Sequence, residues 1–233
     1  MNFNFRPAGL PAALMTLVLI LPGVQPASAA SISVSPIRAD VMEPGNSTSF
    51  TIKNDAARTV NIQVRIFKWS LANGADDYAE TDDVVATPPV AAVPQGASAT
   101  VRIVRTSRAP VKGEESYRLV VDEIPDANRV RNIGVNVALR YTIPVFFLSG
   151  EAAQPRLTWT VRSEKGKRML VATNAGDKHL RISALKVGSA TVVPGLAGYV
   201  LGHSSKKWEL PKGASGAISA DSDAGRINAS ISR

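Results

Sequence analysis

The chain has 233 residues, no cysteine and only two histidines, which excludes disulfide staples and thiolate metal sites and leaves each domain to hold itself together by apolar burial. Its 27 Lys and Arg against 19 Asp and Glu give a formal charge of +8, a balance that raises nucleic acid or acidic lipid as partners. The cations are scattered, densest at 165–168 and 206–207, and build no helical stripe to fit a groove, so a solvated basic surface without nucleic acid is expected.

The first thirty residues join a basic Arg6 to an apolar run over 12–21, then Pro22-Gly23 and the small residues Ala27-Ser28-Ala29-Ala30. That order predicts a signal peptide over 1–30, cleaved after Ala29 or Ala30. The run is about half the roughly 20 residues a membrane-spanning helix needs. An exported chain with no membrane span after signal removal is therefore expected, which argues further against nucleic acid.

From Ser31 onward apolar residues recur at every second position, the period of half-buried strands. Strands are predicted over 32–34 and 50–52, then through Val60, Ile62, Val64 and Ile66. Others follow over 100–104, 117–121, 133–147, 157–161, 169–172 and 180–185, separated by Gly, Pro, Asn and Asp clusters. Short strands at this spacing predict an all-β chain of two sandwiches, one over 31–150 and one over 151–233, joined near 148–155.

Local patterns along the first half carry more information. Ser35-Pro36-Ile37-Arg38 is followed by Val85-Ala86-Thr87-Pro88-Pro89, by Gly96 to Ile103, by Tyr117-Arg118-Leu119 running to Glu123-Ile124-Pro125, and by the long strand over 133–147. In this order they resemble the first domain of PapD-like periplasmic pilus chaperones. Gly198-Tyr199-Val200-Leu201 and Lys207-Trp208-Glu209-Leu210 resemble the second domain in the branch serving archaic, spore-coat-like pili. The resemblance covers essentially the whole mature chain. It implies two immunoglobulin-like sandwiches in a boomerang arrangement that cap pilus subunits by strand donation and deliver them to an outer-membrane usher, with no bond made or broken and no cofactor or metal. Self-association of the free chaperone is a further possibility that the family allows.

A donated strand must offer backbone groups along an edge and side chains at alternate positions that fit successive pockets. Ile133, Val135, Val137 and Leu139 share one face over roughly 20 Å, separated by Gly134, Asn136 and Ala138. The same alternation also suits ordinary packing onto the strand's own domain. The resemblance further implies that Arg38, on the first strand, points into the cleft and grips the subunit's terminal carboxylate, a task that suits a planar fork of donors. The best-known members add a lysine late in the donor strand as a second anchor for that carboxylate; here Pro144 stands at that place, and Arg140, the nearest cation on the strand, is the expected substitute for it beside Arg38. They also end the strand with an aromatic-Arg-Pro sequence, whereas this chain reads Phe146-Phe147-Leu148-Ser149, so the usual interdomain ion-pair partner is missing. Arg102 and Glu123 read as architectural charges, and Trp159, Trp208 and Tyr199 as core or domain-packing aromatics.

An exported enzyme finds little to work with, since His179 and His203 have no metal-ligand spacing and no serine elbow is present. Asp76-Asp77 and Asp82-Asp83 read as solvated loop acids. The nearer alternative is a pilus subunit or exported β-sandwich adhesin. Such a subunit carries its donated segment as a free N-terminal extension, whereas here the donor-like run lies inside the chain.

Overall fold

The computed structural model describes residues 32–125 and 138–232. The expected signal segment and the donor residues Ile133, Val135 and Val137 lie outside the described residues. Among those described every regular element is a strand, and no helix is long and apolar enough to cross a membrane.

In the first half the chain forms β1 (Ile32–Ser35), β2 (Ala39–Met42), β3 (Ser47–Asn54), β4 (Val60–Ala72) and β5 (Ala75–Ala79). It continues through β6 (Val84–Thr87), β7 (Val90–Val93), β8 (Ser98–Arg105), β9 (Glu114–Ile124) and β10 (Arg140–Leu148). One sheet has the order β1-β3-β8-β6, the facing one β2-β10-β9-β4-β5 with β7 also on β4. Alternation dictates which face turns inward: Val60, Ile62 and Val64 of β4 are buried while Asn61, Gln63 and Arg65 are exposed. Together with Phe50, Ile52, Val101, Ile103, Leu119 and Val121 they build the first core.

Two departures from this simple pattern position the site. After pairing antiparallel with β3, the chain leaves the first sheet at Ser35 and joins the second as β2, which runs parallel to β10. Arg38 sits on that crossing. In β10 the residues from Ile143 to Leu148 are buried without interruption, because both faces are covered. Ile143, Val145 and Phe147 enter the first core, whereas Phe146 and Leu148 face Trp69, Tyr199 and Leu201 in a separate cluster between the two halves.

The second half contains β11 (Leu157–Glu164), β12 (Lys167–Asn174), β13 (Leu180–Val187), β14 (Ala190–Val200), β15 (Ser205–Glu209), β16 (Ile218–Ser222) and β17 (Gly225–Ala229). Its sheets have the orders β11-β12-β15 and β14-β13-β16-β17. Trp159 and Trp208 stack at 5.9 Å in its core. Both halves use one device: an asparagine buried at a strand end, Asn54 or Asn174, donates from Nδ2 to a carbonyl of the following turn (Arg58 or Lys178) and to one at a distant strand end (Val93 or Val200), and accepts a backbone N–H at Oδ1. An unpaired amide there would cost about 1–3 kcal/mol, so each asparagine fixes the loop that follows it. Of the two charges expected to be architectural, Glu123 is buried against Arg58 at 2.7 Å, and Arg102 donates to Ser47 Oγ on the surface.

Candidate functional site: the cleft between the two halves

Arg38 is the floor of a cleft of about 290 Å³ lined by Asp40, Met42 and Leu148 from the first half and by Lys178, Leu180 and Asp223 from the second. One Nη donates to Asp223 at 2.6 Å, in the turn between β16 and β17, and the other lies 3.0 Å from Asp40. Burial pulls the guanidinium's pKa down, but the hydrogen bond to Asp223 and the charges of Asp40 and Asp223 outweigh it and raise it. Asp223 also accepts the backbone N–H of Arg181. A carboxylate of the protein itself, Asp223, thus occupies the fork for which the family resemblance implies a ligand carboxylate.

The halves are joined beside this cleft by contacts of which the sequence announced only Tyr199. Glu114, at the start of β9, is almost fully buried and accepts from the backbone N–H of His179, contacts its Nδ1 at 2.8 Å, and accepts from Ser116. The His179 ring stacks on Phe146 with centroids 3.6 Å apart, and Trp69 meets both Phe146 and Tyr199 within 6 Å. Alongside, Asp76 accepts from Trp69 Nε1 and pairs with Lys206, while Lys207 N–H donates to Gly74 O. The stretch read as solvated loop acids is therefore in part the strand β5, whose Asp76 ties the β4–β5 hairpin to β15. Asn73 and Gly74 both have positive φ, the backbone a tight two-residue hairpin needs. A Cβ on Gly74 would meet the Lys207 side chain at 2.4 Å, so glycine is required there twice over. These links stand in for the missing interdomain partner of the best-known members.

Because Glu114 serves His179 at both backbone and ring, Glu114→Ala leaves buried donors without an acceptor. A hydrogen bond to a charged group contributes about 1.5–3 kcal/mol, and a loss of that size is expected in urea unfolding followed by tryptophan fluorescence.

Arg140 opens β10 and is exposed; its Nε donates to Asp122, which also accepts from Arg65 at 2.7 Å. Burial raises the Asp122 pKa, but its two arginine partners outweigh this and hold it below the usual carboxylate range. Parallel register places Ala39 beside Val145, so Arg38 lies at the level of Pro144, four residues along the strand from Arg140 and roughly 13 Å away. The structure therefore does not bring Arg140 into the cleft beside Arg38, where the sequence reading expected it as the second anchor. Leu139 is half-buried and packs against the first core, and its carbonyl accepts from Glu123 N–H.

Two β-sandwiches joined through an aromatic and ion-paired interface, with a cleft carrying Arg38 beside it, define the architecture of two-domain immunoglobulin-like chaperones. The family model described as the pili and flagellar-assembly chaperone, PapD N-terminal domain, matches residues 31–148, and the chain belongs to that family. Among solved structures it is similar to a chain of the CsuC–CsuE chaperone–tip adhesion subunit pre-assembly complex from archaic chaperone-usher Csu pili of Acinetobacter baumannii. That match has a TM-score of 0.75 at 27% identity and covers 88% of this chain and 100% of the other. The Salmonella enterica SafA pilin complex with the SafB chaperone (TM-score 0.67, 17% identity, 88% and 98% covered) and the E. coli chaperone DraB (0.64, 20%, 87% and 97%) share the fold. No curated protein matches the chain significantly.

Proposed function

We propose that the protein is a periplasmic chaperone that caps pilus subunits by lending them a strand and hands them to an outer-membrane usher. The proposal takes 1–30 as the export signal, 31–150 and 151–233 as the two domains, and binding without catalysis as the activity. The observation that carries it is Arg38, held in the cleft between two sandwiches of a chain of this family, with its fork already engaged by a carboxylate. The donated residues are Ile133, Val135, Val137 and Leu139. An unfinished subunit exposes an apolar groove and unpaired strand edges, which invite aggregation, and a borrowed strand satisfies both. Arg140, engaged by Asp122 at the other end of β10, is not needed for the anchoring at Arg38.

The test is to purify the tagged protein from the periplasm of its pilus-producing host and identify what accompanies it. Small exported β-rich subunits in near one-to-one amounts are expected. Recovery of the protein alone, or with soluble metabolic enzymes, would sink the reading.

Asp223 competes with an incoming carboxylate for Arg38 in this scheme. The Arg38–Asp223 pair is partly exposed, and such pairs contribute about 0.2–1 kcal/mol. Asp223→Asn is therefore expected to raise subunit affinity by up to about fivefold, measured by titration of purified subunit. A fall in affinity would show that Asp223 helps rather than competes.

A further inference from the structure

Apart from Arg6, the excess positive charge of the chain belongs to one half of it. Residues 31–150 hold 13 Lys and Arg against 13 Asp and Glu, whereas residues 151–233 hold 13 against 6. We propose that the far end of the second half is an electrostatic docking surface for an anionic phospholipid bilayer, by which the protein rests on a membrane surface without entering it.

The fold gathers this charge. β11 leaves the linker at Leu157 and reaches the far end at Glu164, where three connections meet: the β11–β12 turn, the β13–β14 turn and the stretch 210–217 between β15 and β16. Arg168, just past the first turn, donates to Ala214 O at 2.9 Å, and Leu210 N–H donates to Arg168 O at 2.8 Å. Gly188, in the second turn, donates to Ala217 O at 2.8 Å, and a Cβ on it would fall 2.2 Å from Ser215 O. The three connections are thus fastened to one another. They and the strand ends beside them carry Lys165, Lys167, Arg168, Lys186 and Lys212, all exposed. The acids at this end are Glu164 and Glu209, and each is already engaged, by Lys207 and Lys167 respectively, at 2.7 Å. Among the described residues no carboxylate lies within ion-pairing distance of Lys165, Arg168, Lys186 or Lys212. Asp177 and Asp223 of this half lie at the linker and the cleft instead, so four cations of like sign are held together with no counter-charge of their own.

The make-up of the surface says which kind of partner it fits. A protein interface needs large apolar or aromatic anchors at its centre, and none of the exposed large hydrophobic residues falls on these connections. Between the cations stand Gly166, Ser189, Gly213 and Gly216. Laterally mobile headgroups need no matching shape, and each Lys or Arg brought near an anionic bilayer strengthens binding about fivefold, within a Debye length of about 8 Å at physiological ionic strength. With no apolar side chain to insert, the attachment is superficial and reversible. The cleft, at the linker end of the same half, stays free of the membrane.

The test uses the protein recovered from the periplasm without its leader or any tag, sedimented with vesicles of phosphatidylglycerol and phosphatidylethanolamine or of phosphatidylcholine alone. Wild type is expected to sediment with the anionic vesicles, to ignore the neutral ones and to be released as salt rises. Lys165→Gln, Lys186→Gln and Lys212→Gln together should weaken binding about a hundredfold and leave Tm unchanged, since these exposed residues are in no ion pair. Lys53→Gln, Arg102→Gln and Arg108→Gln in the first half lower the net charge equally and should change binding by less than about threefold, because they lie well beyond a Debye length from the docking surface. Equal losses in the two triple variants would assign the binding to net charge and overturn the proposal, as would binding that survives high salt. Should wild type ignore the anionic vesicles while the first triple variant loses a protein partner that wild type keeps, the surface serves an acidic protein and the membrane proposal falls; the chaperone reading, which rests on the cleft, is untouched by either result.

Discussion

Arg38→Ala is expected to weaken subunit binding by roughly 30-fold to several thousand-fold, the counterpart of the 2–5 kcal/mol lost when one partner of a desolvated, hydrogen-bonded charge pair is truncated. The fold should hardly notice. Arg38 lies partly exposed, and its links to Asp40 and Asp223 belong to a class that contributes at most about 1 kcal/mol each. Arg38→Lys separates fork from charge: an ammonium restores attraction but cannot make two parallel bonds, so affinity should recover only in part. Subunit titration by calorimetry, with thermal unfolding as the control, reads all three proteins. Unchanged affinity in Arg38→Ala would remove Arg38 from the site.

The second large effect is expected at Val137. In the alternation of 133–139 it lies at the middle of the donated face, where a valine gives about 1.5–3 kcal/mol on full burial. An aspartate in a subunit's groove loses that gain and adds the cost of a buried unpaired charge. Val137→Asp should therefore weaken capture by more than about a hundredfold and leave Tm near the wild-type value. Asn136→Asp, one step along and on the opposite face, should bind nearly as well as wild type. Equal losses in the two variants would mean that the segment does not present alternate side chains to the subunit.

The parts of this molecule that were legible in its sequence are those written locally. Strands β3, β4 and β8 announce themselves because one face is wet and the other dry, so Val60, Ile62 and Val64 stand out against Asn61, Gln63 and Arg65. The run from Ile143 to Leu148 was legible as a strand, but not as one buried on both faces, since a continuous apolar stretch does not say what covers its second side. β5 was missed because all five of its residues are exposed and carry no alternation, although Asn73-Gly74 was a usable hairpin signal. The links between the halves were beyond reach: Arg38 meets Asp223 across 185 residues and Glu114 meets His179 across 65. Nothing local distinguishes those acids from others on the surface.

These observations make one picture of the cleft. Arg38 sits where the first strand changes sheets, so its position is dictated by the crossing rather than by a flexible loop. The aromatic cluster of Trp69, Phe146 and Tyr199, with His179 stacked upon it, ties the second half to the strand that follows the donor segment. On the proposed reading, the Arg38 anchor and the donated strand are both referred to β10, so a subunit gripped at Arg38 would be in register with the donated face. Register matters here because a slip of one residue would turn the apolar face of a donated strand away from its groove.

Strand donation is the central claim, and amide hydrogen exchange across residues 133–139, with and without bound subunit, tests it most directly. The account predicts that these amides gain protection in the complex, since their N–H groups become ladder bonds to the subunit, and that Val137→Asp abolishes the gain. A stable complex in which exchange over 133–139 is unchanged would contradict it, and the subunit would then have to be held by some other edge.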